Sequence, residues 1–311
     1  MDLTIVAKSD LSAPRLLNKK QLGADKIEIQ LLESFLTEDF DPNKSIELVM
    51  KTGVEVCAVH VPIISKINIE IECLKDKKTC EMFYMSCELA ERFANCTGKP
   101  VLVIMHIGWT MNEFHRNPEI LEKTDYILSS VLERSKNIEI GIENIIPIIK
   151  RTGFNPESRN GYLFDNVDYA KYFCSKYKTN RVGTVLDTCH ALTTIRFFNL
   201  LKEHGMRGVD FTLDDYFKNN SELIKLIHLA NVKGLGYEPF THGITFTDNY
   251  SDMQLLRTII DLYFKHSYSC PVTIEVIEKD YDNALNFSQT LSNINRILAE
   301  KTGSRALSAH N

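Results

Sequence analysis

Eight short runs of β-branched and apolar residues recur along the chain, and each is followed by a segment of helical periodicity. The runs are Leu3–Lys8, Lys26–Leu32, Val54–Val61, Val101–His106, Ile138–Glu143, Val182–Asp187, Leu223–Leu229 and Val272–Val276. Strand-then-helix alternation is the pattern of βα units on a parallel sheet, and eight such units close a barrel. A single-domain (β/α)8 TIM barrel is therefore expected over residues 1–300, with a polar tail over 301–311. The 311-residue length suits one such unit with one core, and no repeat, low-complexity tract or linker divides the chain.

Apolar residues at three- and four-residue spacing mark the helices. Cys80–Ala94 carries Met82, Phe83, Met85, Leu89 and Phe93; Asp252–Phe264 carries Met253, Leu256, Ile259, Ile260 and Phe264. Asn283–Leu298 reads as the last helix, and Lys301–Asn311 as a frayed end. Ser65–Thr79, Ile145–Asn166 and Thr193–Asn220 exceed ordinary connections, and in a barrel they frame the mouth.

A formal charge of −5 offers no global positive field to gather nucleic acid. The start lacks a basic segment followed by an apolar stretch, and no run approaches the roughly 20 apolar residues that span a bilayer. A cytoplasmic protein with no membrane partner is expected. The eight cysteines include no Cys-x-x-Cys pair and read as reduced, structural residues.

Five of the nine histidines stand at or just beyond the end of an apolar run: His60, His106, His190, His228 and His242. Glu143, Asp187 and Glu275 share that position. A lone histidine there is ordinarily a satisfied core residue. A carboxylate that closes a greasy run, however, carries a large desolvation penalty unless it meets a cation. In a parallel barrel every strand ends on the same face, so these residues converge on one mouth. Imidazole and carboxylate together suit Zn²⁺, Mn²⁺, Fe or Co²⁺, and the ligands suffice for two or three adjacent ions.

Weaker signals surround this set. Lys233-Gly234-Leu235-Gly236 has the make-up of a phosphate-cradling loop or of a plain turn. Trp109 can wall a pocket against a sugar face or simply pack in its loop. Asn144 and Asn231 suit a polyol, ligand orientation or ordinary capping. His190, Trp109, Lys233 and Asn144 are the candidate substrate contacts.

The ordered series resembles the xylose isomerase-like TIM-barrel superfamily over nearly the whole chain. It runs from Gly23-Ala24-Asp25-Lys26-Ile27-Glu28 through His60, His106, Glu143-Asn144, Asp187-Thr188-Cys189-His190, His228-Leu229 and His242-Gly243 to Glu275. That superfamily includes sugar and sugar-phosphate isomerases and epimerases, and apurinic endonucleases of the endonuclease IV type. The resemblance implies that Glu143, Asp187, His228 and Glu275 hold a central metal, with Glu143 and Glu275 doubling as the acid/base pair. It further implies a second metal on His60, His106 and Glu143, and a third on His190 and His242.

Departures from the endonuclease pattern turn the expectation toward isomerase or epimerase chemistry on a carbohydrate. Phe240 stands where that family places an anionic ligand, and Ile63, Ile107 and Val276-Ile277 replace its loop residues. Endonuclease IV-like phosphodiester cleavage, with nucleic acid as partner, is the alternative. A ligand-binding barrel without activity and an oxidative iron enzyme are two further readings.

Overall fold

The computed structural model describes residues 3–32, 41–64, 67–68, 74, 77–106, 117–145, 164–205, 210–234 and 241–308. The strands are β1 (Ile5–Ser9), β2 (Lys26–Leu32), β3 (Glu55–Ile64), β4 (Ile67–Asn68), β5 (Val101–His106), β6 (Ile138–Glu143), β7 (Val182–Asp187), β8 (Ile224–Leu229) and β9 (Val272–Ile274). Eight of them pair in parallel in the order β2-β1-β9-β8-β7-β6-β5-β3, and a β2–β3 pairing closes the ring. The short β4 folds back on β3 as an antiparallel addition. All eight expected runs coincide with the barrel strands; the β4 hairpin had no sequence counterpart.

Nine helices among the described residues surround the barrel. They are α1 (Ala13–Gln21), α2 (Pro42–Thr52), α3 (Lys77–Thr97), α4 (Pro118–Arg134), α5 (Asp165–Tyr177), α6 (Thr188–Glu203), α7 (Leu213–Asn220), α8 (Tyr250–Lys265) and α9 (Leu285–Ser308). The two helices expected from periodicity lie inside α3 and α8. Thr193–Asn220, expected as a long connection, is largely α6 and α7, and α9 continues past Leu298 to Ser308. Among the described residues, no helix is long and apolar enough to cross a membrane.

Both faces of the strands are buried, which is why they read as continuous apolar runs rather than alternating ones. On β5, Val101, Val103 and Met105 pack in the large core shared with the helices, whereas Leu102 and Ile104 join Ala58, Val185 and Leu226 in a small separate cluster inside the barrel. The interior is tight around Gly141. A Cβ there would meet Val185 Cγ2 at 2.7 Å and Leu102 Cδ1 at 3.2 Å.

Candidate metal centre

The period of two along a strand fixes what lies above that interior layer. Two residues beyond Ala58, Ile104, Gly141, Val185 and Leu226 come His60, His106, Glu143, Asp187 and His228. Parallel register sets several of them shoulder to shoulder: His106 is paired with Glu143, and Asp187 with His228. Glu275 follows β9, and His190 sits in the first turn of α6. Asp187 caps that helix, its Oδ1 accepting the His190 backbone N–H at 2.7 Å.

Glu143 is the hub. Its Oε2 lies 3.3 Å from His60 Nε2 and 3.2 Å from His106 Nε2, while its Oε1 lies 3.3 Å from His190 Nδ1 and 3.4 Å from His228 Nδ1. His228 Nδ1 is also 2.7 Å from Glu275 Oε2 and 4.0 Å from Asp187 Oδ2. Three overlapping ligand groups result: His60 with His106 and Glu143; Glu143 with Asp187, His228 and Glu275; and Asp187 with His190 and His242. Potential ligand atoms within each group lie within 4.8 Å of one another.

Three of the imidazoles are each held by a hydrogen bond at one ring nitrogen. Assigned from these contacts, His60 Nδ1–H donates to the Val61 carbonyl (3.0 Å), His190 Nδ1–H to the Asn144 carbonyl (2.7 Å), and His228 Nε2–H to Glu28 Oε2 (2.9 Å). Each bond leaves the opposite nitrogen with a lone pair for a ligand, which is how metal-binding histidines are oriented.

Two observations test whether these residues fit a cation. First, Asp187 Oδ2, His228 Nδ1, His242 Nε2 and Glu275 Oε2 are buried without a hydrogen bond, although His228 Nδ1 and Glu275 Oε2 approach to 2.7 Å. Buried polar atoms are almost always satisfied, so such a cluster of orphans needs a further partner. Second, two donors each about 2.0–2.1 Å from one ion, at angles between octahedral and tetrahedral, stand roughly 2.9–3.4 Å apart. The contacts of Glu143 with His60, His106 and His228 lie within that span. The donor set fits a divalent transition metal.

Without a cation the charges are frustrated. Burial, opposed by His190 and reinforced by Glu143 and Glu275, lifts the Asp187 carboxyl to about 6. Burial pulls His190 down, but Asp187 and Glu143 outweigh it and raise the imidazole to about 9. Burial and the neighbouring His190 lower His242 to about 4. A divalent ion removes the conflict by displacing protons from its ligands.

All eight expected metal ligands are thus brought together, and the candidate acid/base carboxylates are among them. The expected substrate contacts fare differently. His190 lies in the cluster, its ring centroid 4.8 Å from that of His242. Asn144 spends its amide on Asp187, Oδ1 accepting the Asp187 N–H at 2.7 Å and Nδ2 donating to the Asp187 carbonyl at 3.0 Å. Asn231 is likewise engaged, with Asp252 and the Val232 backbone. Lys233 is exposed and Gly234 has φ +55°; Leu235–Phe240 and Trp109 lie outside the described residues.

Lys8 and Glu28 belong to the site and were not read as such. Lys8 Nζ lies 2.6 Å from Glu275 Oε1 and 3.1 Å from Glu28 Oε1. The signal existed: Lys8 closes the first apolar run as His106 closes the fourth, and Glu28 interrupts Ile27 and Ile29. A cavity of about 580 Å³ opens above, lined by Lys8, Gln30, His60, His242, Glu275 and Tyr281 among others.

No family model and no curated protein matches the chain. Solved structures do. A D-tagatose 3-epimerase-like protein has 17% identity and a TM-score of 0.57, covering 96% of this chain and 99% of its own. A xylose isomerase domain protein from Planctomyces limnophilus has 10% identity and a TM-score of 0.59, covering 96% and 98%. An AP endonuclease, family 2, from Brucella melitensis has 13% identity and a TM-score of 0.55, covering 92% and 98%. The chain has the (β/α)8 barrel fold that these structures share. Likeness at these identities is one of fold, and one fold can host unrelated chemistries.

Proposed function

We propose that the protein is a metal-dependent isomerase or epimerase acting on a small carbohydrate or carbohydrate phosphate. The observation that carries this reading is the group Glu143, Asp187, His228 and Glu275, of which Glu275 lines a cavity of about 580 Å³ and Glu143 lies buried behind it. That volume is in the range of small-molecule sites. Moving a proton beside a carbonyl needs one group to take it and another to return it. Glu275 lines the cavity, which supports its role as the carboxylate that meets the substrate carbon. Glu143, buried among four imidazoles, is the second carboxylate of the pair. When bound, the divalent cation, zinc or manganese among the suitable ions, supplies charge stabilisation to the oxygen that turns anionic as the proton leaves.

The test is incubation of the metal-loaded protein with ketoses and ketose phosphates in D2O, followed by NMR for deuterium at the carbon beside the carbonyl. Exchange with at least one substrate supports the reading, and none across the panel counts against it. A second reading, phosphodiester hydrolysis, is favoured by the two extra ligand groups, because adjacent ions suit activation of water and neutralisation of a leaving oxygen. Under the preferred reading an abasic-site duplex stays uncut.

A further inference from the structure

Two charged side chains, the partly buried Lys8 and the fully buried Glu28, lie outside the three ligand groups, and they link two of the ligands into a ring. Lys8 Nζ is 2.6 Å from Glu275 Oε1; Glu275 Oε2 is 2.7 Å from His228 Nδ1; His228 Nε2 is 2.9 Å from Glu28 Oε2; and Glu28 Oε1 is 3.1 Å from Lys8 Nζ. The side chains come from β1, β2 and β8 and from the residue after β9, four strands that are neighbours in the order β2-β1-β9-β8. Lys8 and Glu28 face each other in the β1–β2 register.

We propose that Lys8 and Glu28 are positioning residues for the central metal site, fixing which atoms of His228 and Glu275 are turned toward the cation. The inference rests on the metal-enzyme reading of that site. Glu28 accepts the His228 Nε2–H and also the Thr273 hydroxyl at 2.9 Å, so the imidazole is held in the tautomer whose Nδ1 has a lone pair. Lys8 takes the other oxygen of each glutamate, and only one oxygen of Glu275 then remains for a ligand. A lysine present only to neutralise Glu28 has no need of Glu275, yet its shorter contact is to Glu275. The two links that close the ring with hydrogen bonds, Lys8–Glu275 and Glu28–His228, both run to ligands, and the contact between the ligands themselves has no hydrogen bond.

The experiment is Co²⁺ titration of the metal-free full-length chain, read by visible absorption, for wild type, Lys8→Met, Lys8→Arg and Glu28→Gln, with thermal unfolding of each metal-free protein alongside. Removing a partner of a metal ligand characteristically weakens metal affinity about 10–100-fold. Lys8→Met and Glu28→Gln are expected to lose affinity in that range and to shift the Co²⁺ spectrum, and Lys8→Arg to recover part of the loss. A purely structural role moves the melting temperature but leaves affinity and spectrum of the folded protein at wild-type values, and that result overturns the proposal. Should Lys8→Met fail to fold, the isosteric Glu28→Gln carries the same decision. Cation binding is the readout, so absence of carbohydrate turnover leaves this inference standing, and unchanged Co²⁺ binding in the variants leaves the carbohydrate reading standing. Wild-type protein that binds no Co²⁺ overturns both.

Discussion

Asp187 holds His190 twice: its Oδ1 accepts the His190 backbone N–H at 2.7 Å, and its Oδ2 stands 3.8 Å from the imidazole Nδ1 without a hydrogen bond. One carboxylate therefore both starts α6 and offers an unused oxygen to the cluster. The two jobs can be separated. In Asp187→Asn the remaining carbonyl oxygen can still cap the helix, while the ligand charge is lost.

The sign of the stability effect follows from the raised carboxyl. With a folded value of about 6 against an ordinary value of 3.8, the stabilising contribution of Asp187 is present at acid pH and is lost as pH rises through about 6. Above that, the ionised carboxylate burdens the metal-free fold by on the order of 1–3 kcal/mol. Metal-free Asp187→Asn is thus expected to melt at or above the wild-type temperature at pH 7.5, yet to gain less from added Zn²⁺ or Mn²⁺ than the wild type does, because the His60, His106 and Glu143 group is left intact. Thermal unfolding with and without metal checks both halves; a lower metal-free melting temperature contradicts the first.

Much of this centre was legible in the sequence, for a definite reason. His60, His106, Glu143, Asp187 and His228 each terminate or interrupt an apolar run, and in a parallel barrel that position converts directly into a place at the mouth. Lys8 and Glu28 carried the same signal but lie on strands with no histidine, so nothing drew them into the set. Their partners are 20 to 267 residues away along the chain, and register alone brings them together. The β4 hairpin was invisible because a two-residue strand has too little pattern to detect.

His106→Ala removes one of the three members of the His60, His106 and Glu143 group while leaving the central group complete. Elemental analysis is expected to show one ion fewer per chain than wild type if that group is loaded. Under the isomerase reading the variant retains proton exchange; loss of all exchange together with the ion shifts the balance toward multi-ion phosphodiester chemistry.

Glu275→Gln and Glu143→Gln are expected to lower turnover by about 10²–10⁴-fold, the ordinary worth of a positioned acid or base. Circular dichroism should be unchanged, because neither carboxylate supplies a helix cap or a strand hydrogen bond. Activity within a few-fold of wild type in both variants removes them from the mechanism.

Gly183→Ala tests the barrel rather than the site. A Cβ there would stand 2.4 Å from the Leu223 carbonyl oxygen, where backbone must yield. Overpacking of this kind costs about 1–3 kcal/mol, so a lower denaturation midpoint is expected, and an unchanged midpoint contradicts the β7–β8 packing.

Cation binding is the property on which every role given to these ligands depends. Titrating metal-free wild-type protein with Zn²⁺, Mn²⁺ or Co²⁺ in weak buffer near pH 7.5 is expected to show at least one tightly bound ion per chain. Proton release should accompany it, since His190 is raised to about 9 before the ion arrives. A cation present at 100 times its dissociation constant also stabilises the fold by about 2.7 kcal/mol. No bound ion, no released proton and no change in melting temperature with any of these metals would contradict those roles.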